Sequence, residues 1–216
     1  MRFEKKFLVH EGIRGDLKNL LNINSYYKIY PNRQVTSIYY DSNEFEMFHD
    51  SDDGLENRKK IRLRFYNQES ENMRLEKKIK SAEIGFKEYT DFSKIDPDFL
   101  SLKLFDSEYQ KEIKIPKSIE SIFFPSLLVK YFRDYYGNKD NTVRITFDYN
   151  LFFSNIYNPK CSIIKPFFIP GNFSVIEIKY EHDLMDCPEI IEKIANNFNI
   201  NISRCSKYAE GIRLCF

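Results

Sequence analysis

Charged and apolar residues alternate with period two in segment after segment of this chain. That pattern confines it to strands with one charged and one apolar face. Arg2, Glu4 and Lys6 fall together opposite Phe3 and Phe7, and Arg62 and Arg64 oppose Ile61, Leu63 and Phe65. Glu76 and Lys78 oppose Leu75 and Ile79, Arg144 and Asp148 oppose Val143, Ile145 and Phe147, and Glu177 and Lys179 oppose Ile176 and Ile178. The alternation predicts strands over Arg2–Val9, Thr36–Tyr40, Lys60–Tyr66, Met73–Lys80, Phe86–Phe92, Leu127–Tyr135, Val143–Tyr149 and Phe173–Tyr180. Short polar runs at Asp50–Asn57, Asn67–Asn72 and Tyr136–Asn141 read as turns between them.

Helical signals are few. Gly15–Leu21 has the character of a short helix. Another begins at Cys187-Pro188 and runs through Glu189–Phe198, with Pro188 where a first turn tolerates it. Ser203–Gly211 reads as a last short helix ending at the glycine. The 20 Phe and 15 Tyr reinforce the β reading. With no internal repeat and no linker, 216 residues make one domain, 1–216, of mainly β (α+β) class.

Two architectures satisfy the pattern. In a half-exposed sheet the charged faces are solvated. In a closed antiparallel β-barrel of about eight strands with a few flanking helices, they point into a lumen wide enough for one small ligand. The charged faces carry Arg and Lys with single Glu residues, whereas a solvated face would also carry Ser, Thr, Gln and Asn. Cations packed in a lumen repel one another and lose hydration unless a polyanion sits among them. A triphosphate suits such a lumen, because guanidinium groups grip phosphoryl oxygens in pairs. Carboxylates beside it would hold Mg2+ or Mn2+, hard ions that prefer oxygen.

Bulk properties exclude several other functions. Lys and Arg total 33 against 32 acidic residues, so the chain has no global attraction for nucleic acid, and a nucleic-acid-binding barrel is disfavoured. The N-terminal run Met1–Phe7 has no signal-peptide core, and no apolar run approaches the ~20 residues that span a bilayer. Cys161, Cys187, Cys205 and Cys215 form no C-x-x-C pair, and His10, His49 and His182 form no metal or catalytic motif. The cysteines read as reduced, mostly buried thiols of a cytoplasmic protein.

Arg2-Phe3-Glu4-Lys5-Lys6-Phe7-Leu8 resembles the opening strand of the triphosphate tunnel metalloenzymes (CYTH-like superfamily), in which a Glu-x-Lys pair begins the barrel. Arg2 stands where the adenylate cyclase and thiamine triphosphatase branch has an additional Glu, which favours the VTC (vacuolar transporter chaperone) catalytic domain, the polyphosphate polymerase branch. An ordered series along nearly the whole chain is similar to that branch. It comprises Val35–Asp41, Asn57–Tyr66, Leu75–Lys78, Tyr131–Arg133, Val143–Asp148, Val175–Tyr180 and Ser206–Tyr208. One departure falls at Gly85-Phe86-Lys87-Glu88-Tyr89, where Lys87 lacks a second basic neighbour.

The resemblance implies that Lys6, Arg62, Arg64, Lys78, Lys87, Arg133, Arg144, Lys179 and Lys207 are phosphate ligands, with Arg62, Arg64, Lys78, Glu177 and Lys179 at the reacting centre. Glu177 would be the principal carboxylate for Mn2+ or Mg2+, with Glu4 and Glu76 as helpers or charge partners. The implied reaction is transfer of the γ-phosphate of ATP to a growing inorganic polyphosphate chain, started on pyrophosphate or polyphosphate. The alternatives are hydrolysis of tripolyphosphate or of a nucleoside or RNA 5′-triphosphate, and a non-catalytic polyphosphate-binding module. Larger eukaryotic relatives carry a phosphate-sensing helical domain before the tunnel domain and a membrane segment after it. Neither is expected here, so the product would form in the cytosol unless a separate membrane protein is the partner.

Overall fold

In the computed structural model of the protein, residues 2–67, 69–81, 84–91, 113–114, 119, 122–157, 163–164, 166–181 and 188–216 are described. Strands dominate: β1 (Arg2–Val9), β2 (Tyr27–Asp41), β3 (Arg58–Tyr66), β4 (Glu69–Ser81), β5 (Ile84–Asp91), β6 (Ile113–Lys114), β7 (Phe124–Gly137), β8 (Val143–Asn155), β9 (Ile163–Ile164), β10 (Ile169–Gly171) and β11 (Ser174–Glu181). Among the described residues four α-helices accompany them: α1 (Arg14–Ile23), α2 (Glu46–Asp52), α3 (Glu189–Phe198) and α4 (Lys207–Cys215). The mainly β class and each alternating segment are borne out; Phe92, the last residue of the fifth segment, lies outside the described residues, as do Cys161, Cys187 and His182.

The strands pair in the order β1-β11-β8-β7-β2-β3-β4-β5, with β10 beside β8, and the pairs β1-β11, β11-β8, β2-β3, β3-β4 and β4-β5 are antiparallel. The expected closed barrel does not form among the described residues. Among the described residues the ladder has two ends, β1 and β5. The free edge of β1 is occupied instead by the segment before α4: Phe7 bridges Ile202, and the Ser203 N–H donates to the Lys6 carbonyl at 2.8 Å. That bridge and that hydrogen bond take backbone groups a closing strand would have used.

The chain forms two compact units. Unit 1 comprises residues 1–33, 131–151 and 170–205; unit 2 comprises 34–130, 152–169 and 206–216. In unit 1 the apolar faces of β1, β8 and β11 supply Phe7, Val9, Ile145, Phe147, Ile176 and Ile178 to a core completed by Leu17 and Leu21 of α1 and Ile190, Ile191 and Ile194 of α3. The apolar side of this sheet is therefore covered by helices, which leaves the charged side as its other face. In unit 2 the corresponding buried residues are Ile38 and Tyr40 of β2, Ile61, Leu63 and Phe65 of β3, and Met73 and Leu75 of β4.

Turn chemistry follows the sequence at two of the three polar runs. Asn67 (φ 48°) and Asn141 (φ 54°) adopt the left-handed conformation that asparagine tolerates. Asn138 closes the second turn by accepting from the Val143 N–H at 3.0 Å. The run Asp50–Asn57 is different, because its first residues finish α2, a helix that the alternation did not signal. Asp41 organises that helix: its carboxylate accepts the N–H groups of Ser42, Met47 and Phe48 at 2.8–3.0 Å. The last helix is also displaced from its expected span. Ser206 caps α4 through the Ala209 N–H, and Gly211 lies within the helix rather than at its end. A Cβ at Gly211 would come 2.5 Å from carbons of Leu127 and Phe153, so the glycine is there for close approach.

Candidate phosphate and metal site

Each unit presents a charged face, built by register. In unit 1, Lys6 of β1 lies opposite Glu177 of β11, and Glu177 lies opposite Thr146 of β8. The next row is Glu4, Lys179 and Arg144. Lys6 Nζ contacts Glu4 at 2.7 Å, while Lys179 Nζ lies 2.5 Å from Glu177 and 3.6 Å from Glu4. Burial and Glu177 both push the Glu4 carboxyl up, yet the ammonium groups of Lys6 and Lys179 prevail and hold it below its ordinary value. Burial works against the Lys6 charge as well, and Glu177 with Glu4 more than offsets it, so Lys6 stays protonated to unusually high pH. Arg133 of β7 grips the fully buried Asp148 with two hydrogen bonds of 2.5 and 2.7 Å. Burial opposes the Arg133 charge, and Asp148 outweighs it.

In unit 2 the row Tyr39–Arg62–Glu76–Tyr89 crosses β2, β3, β4 and β5, and the row Lys60–Lys78–Lys87 runs beside it. Glu76, only 5% exposed, accepts from Arg62 Nε at 2.6 Å and lies 3.5 Å from Lys87 and 3.9 Å from Arg64. Burial would raise its carboxyl, but Arg62, Arg64 and Lys87 hold it below the ordinary value. Arg64 is itself buried and donates to the Ser37 hydroxyl at 3.1 Å. Lys60 Nζ donates to Ser206, and the next residue, Lys207, opens α4 and acts electrostatically on Tyr39.

The expected site residues that lie on strands are thus on charged faces, and Lys207 opens α4. Glu4, Lys6, Arg133, Arg144, Glu177 and Lys179 belong to unit 1; Arg62, Arg64, Glu76, Lys78, Lys87 and Lys207 belong to unit 2. Asp148 pins Arg133 directly. The alternation missed Tyr39 because it reads as one aromatic among several. Its parity with Ser37 and Asp41 in Ser37-Ile38-Tyr39-Tyr40-Asp41 is the signal that places it on the polar side.

Among the described residues no three Asp, Glu, His or Cys side chains gather as a metal cluster. The donor set in unit 1 still fits a hard divalent cation. Glu4 and Glu177 are near enough to repel, and the buried Thr146 hydroxyl, in register with Glu177, has no hydrogen-bond partner among the described residues. Mg2+ and similar ions commonly take one or two carboxylates and complete their sphere with water and phosphoryl oxygens. Glu76 is committed differently, as the counter-ion of Arg62 and Lys87.

No curated protein sequence matches the chain. Among solved structures, its fold is similar to that of a Hippeastrum protein assigned as an adenylyl cyclase with a dominant triphosphatase activity. The two are 12% identical with a TM-score of 0.52, over 100% of this chain and 97% of that one. A Bacillus halodurans protein assigned as an adenylate cyclase is 12% identical with a TM-score of 0.52, over 96% and 94% of the two chains. A conserved protein of Pyrococcus furiosus is 14% identical with a TM-score of 0.51, over 98% and 99%. At these identities the likeness is one of fold. Among the described residues no helix is long and apolar enough to cross a membrane. The sequence profile of the VTC domain matches residues 1–216 in full, and the chain belongs to the VTC domain family.

Proposed function

We propose that this protein is a metal-dependent phosphotransferase that extends inorganic polyphosphate with the γ-phosphoryl group of ATP. The observation that carries the reading is the cationic face of unit 2 around the buried Glu76. Arg62, Arg64 and Lys87 surround one carboxylate, Glu76, and Lys78 stands in register with Lys60 and Lys87. Such a surplus of cations, from the buried Arg64 and half-buried Arg62 out to the exposed Lys78 and Lys87, suits a polyanion.

Phosphoryl transfer asks for alignment and charge neutralisation rather than a protein nucleophile. Arg62, Arg64, Lys78 and Lys87 would spread the charge of the ATP phosphates. Lys6, Lys179, Arg144 and Arg133, the last steadied by Asp148, would be further ligands of phosphoryl oxygens. A divalent cation, Mn2+ or Mg2+, held by Glu177 and Glu4 would supply Lewis-acid neutralisation of those oxygens. A terminal oxygen of the chain forms the new bond to the γ-phosphorus, the bond from that phosphorus to the β-γ bridging oxygen breaks, and ADP leaves with the bridging oxygen. Lys207, at the start of α4, would hold the departing diphosphate.

Hydrolysis is the second reading, favoured by the triphosphatase activity of the Hippeastrum structural relative. The two differ in whether phosphate or water occupies the attacking position. Purified protein with ATP and Mn2+, with and without pyrophosphate primer, separates them: a polyphosphate ladder with matching ADP supports the polymerase, and free phosphate without polymer supports the hydrolase. Glu177→Ala is expected to abolish turnover while sparing polyphosphate binding. Equal loss of both would remove the catalytic role of Glu177 and favour a binding module.

A further inference from the structure

The Tyr39 side chain is 6% exposed and sits on the charged face of unit 2, in register with Arg62. Arg62 Nη1 donates to its hydroxyl at 3.3 Å. Arg64 and Lys207 are the other charges that act on it most strongly, and both are cations. Guanidinium and ammonium groups have donors and no acceptor. The phenolic oxygen therefore accepts from Arg62, while among the described residues its own proton faces no acceptor. A buried donor left in that state costs about 1–3 kcal/mol.

The ring cannot turn easily to find another partner. It stacks on Tyr208 with centroids 4.9 Å apart and planes at 22°. Tyr208 in turn donates its hydroxyl proton to Asp41, the same carboxylate that organises α2. Ser126 adds a hydrogen bond to the Tyr39 carbonyl at 3.1 Å. Tyr39 is thus fixed from backbone and ring, with its hydroxyl turned into a cationic cluster.

We infer that the Tyr39 hydroxyl is itself a phosphate ligand, donating its proton to a phosphoryl oxygen gripped by Arg62, Arg64 and Lys207. The inference rests on the phosphate reading of this face and adds to it a neutral donor where the sequence showed cations. A phosphoryl oxygen supplies the acceptor that the phenol lacks, and burial excludes water from competing for it. The net positive surroundings also favour loss of the phenolic proton, since Arg62, Arg64 and Lys207 outweigh the burial that would hold it. An anion bound there would restore the balance and keep the phenol a donor. Tyr208 and Asp41 are positioning residues in this arrangement, acting through the stack.

The test is tripolyphosphate binding by calorimetry, without metal, to the wild-type protein, Tyr39→Phe and Arg62→Ala, with a thermal melt of each free protein. Phe keeps the ring, the burial and the stack on Tyr208. The expected result is a roughly tenfold to hundredfold weaker Kd for Tyr39→Phe, the loss of one hydrogen bond to a charged group, at an unchanged melting temperature. Wild-type affinity in Tyr39→Phe alongside a weakened Arg62→Ala would overturn the inference and leave the phosphate reading standing. A fall in both affinity and melting temperature would assign Tyr39 to packing and also overturn it. Absence of binding to the wild type would overturn both readings.

Discussion

Replacing Asp148 by Asn tests whether the charged face of unit 1 is a buried electrostatic structure or a solvated surface. Asp148 is fully buried, and Arg133 grips it bidentately at 2.5 and 2.7 Å with its own side chain only 15% exposed. Asn keeps the shape and one acceptor oxygen but removes the charge, so the guanidinium is left in the interior without its counter-ion. Breaking a buried pair from one side costs about 3–5 kcal/mol. Residual water at Arg133 argues for the lower end, about 3 kcal/mol. For a chain of this length 1 kcal/mol moves the melting temperature by roughly 2–4 °C, so a fall of about 6–12 °C is expected. The assay is urea unfolding at pH 7, paired with a thermal melt. The double variant Asp148→Leu, Arg133→Met removes both charges at similar volume and should recover most of the loss. A single variant that melts within about 2 °C of the wild type would refute the reasoning, because it would mean that Arg133 is effectively solvated.

Glu76 gives a pH prediction with a definite sign. Its carboxyl is held below the ordinary value on folding, so it stabilises the fold above the pKa of an unfolded Glu and loses that contribution as pH falls through its folded value. The urea midpoint should drop below about pH 4, and Glu76→Gln should be less stable at pH 7 but flatter across that acid range; a wild-type acid profile in the variant would count against it. Gly211→Ala would set a methyl 2.5 Å from carbons of Leu127 and Phe153, and overpacking of this kind costs about 1–3 kcal/mol, readable as a lower urea midpoint. An unchanged midpoint would show that those two side chains move aside without cost.

Much of the fold was legible because one physical rule, the alternation of side chains along a strand, acts residue by residue. Glu4, Lys6, Arg62, Arg64, Glu76 and Glu177 could be assigned to charged faces from parity alone, and the registers agree. What parity cannot express is long-range closure. The edge of β1 goes to Ile202 and Ser203, nearly two hundred residues away in sequence, and no local pattern announces that pairing. Helix α2 was hidden for a related reason. Its start depends on the buried carboxylate of Asp41 accepting three backbone N–H groups, and an aspartate at the end of a strand reads equally well as an ordinary turn residue. Gly211 misled because glycine stops helices more often than it admits neighbours to them.

The choice between a solvated sheet and a ligand-binding one turns on burial of the polar side. A solvated charged face would leave its acids and hydroxyls in water, at little electrostatic cost. Here Glu177, Asp148, Thr146, Glu76, Arg64 and Ser37 are all buried, on strands whose opposite faces carry buried Ile, Leu and Phe. At these positions both sides of the strands are withdrawn from solvent with the charges intact, whereas Glu4, Lys78, Lys87 and Arg144 on the same faces are exposed. Counter-ions answer part of that cost: Asp148 serves Arg133, Glu76 serves Arg62 and Lys87, and Lys179 serves Glu177. Among the described residues they do not answer the hydroxyl of Thr146, which has no hydrogen-bond partner, or the phenolic proton of Tyr39, which faces no acceptor. The first lies beside a carboxylate pair, where an oxygen-bound cation would complete it. The second lies among guanidinium and ammonium groups, where a phosphoryl oxygen would. Taken unit by unit, the first suits a hard cation and the second a phosphoryl oxygen, as the proposed metal-dependent phosphotransfer would require.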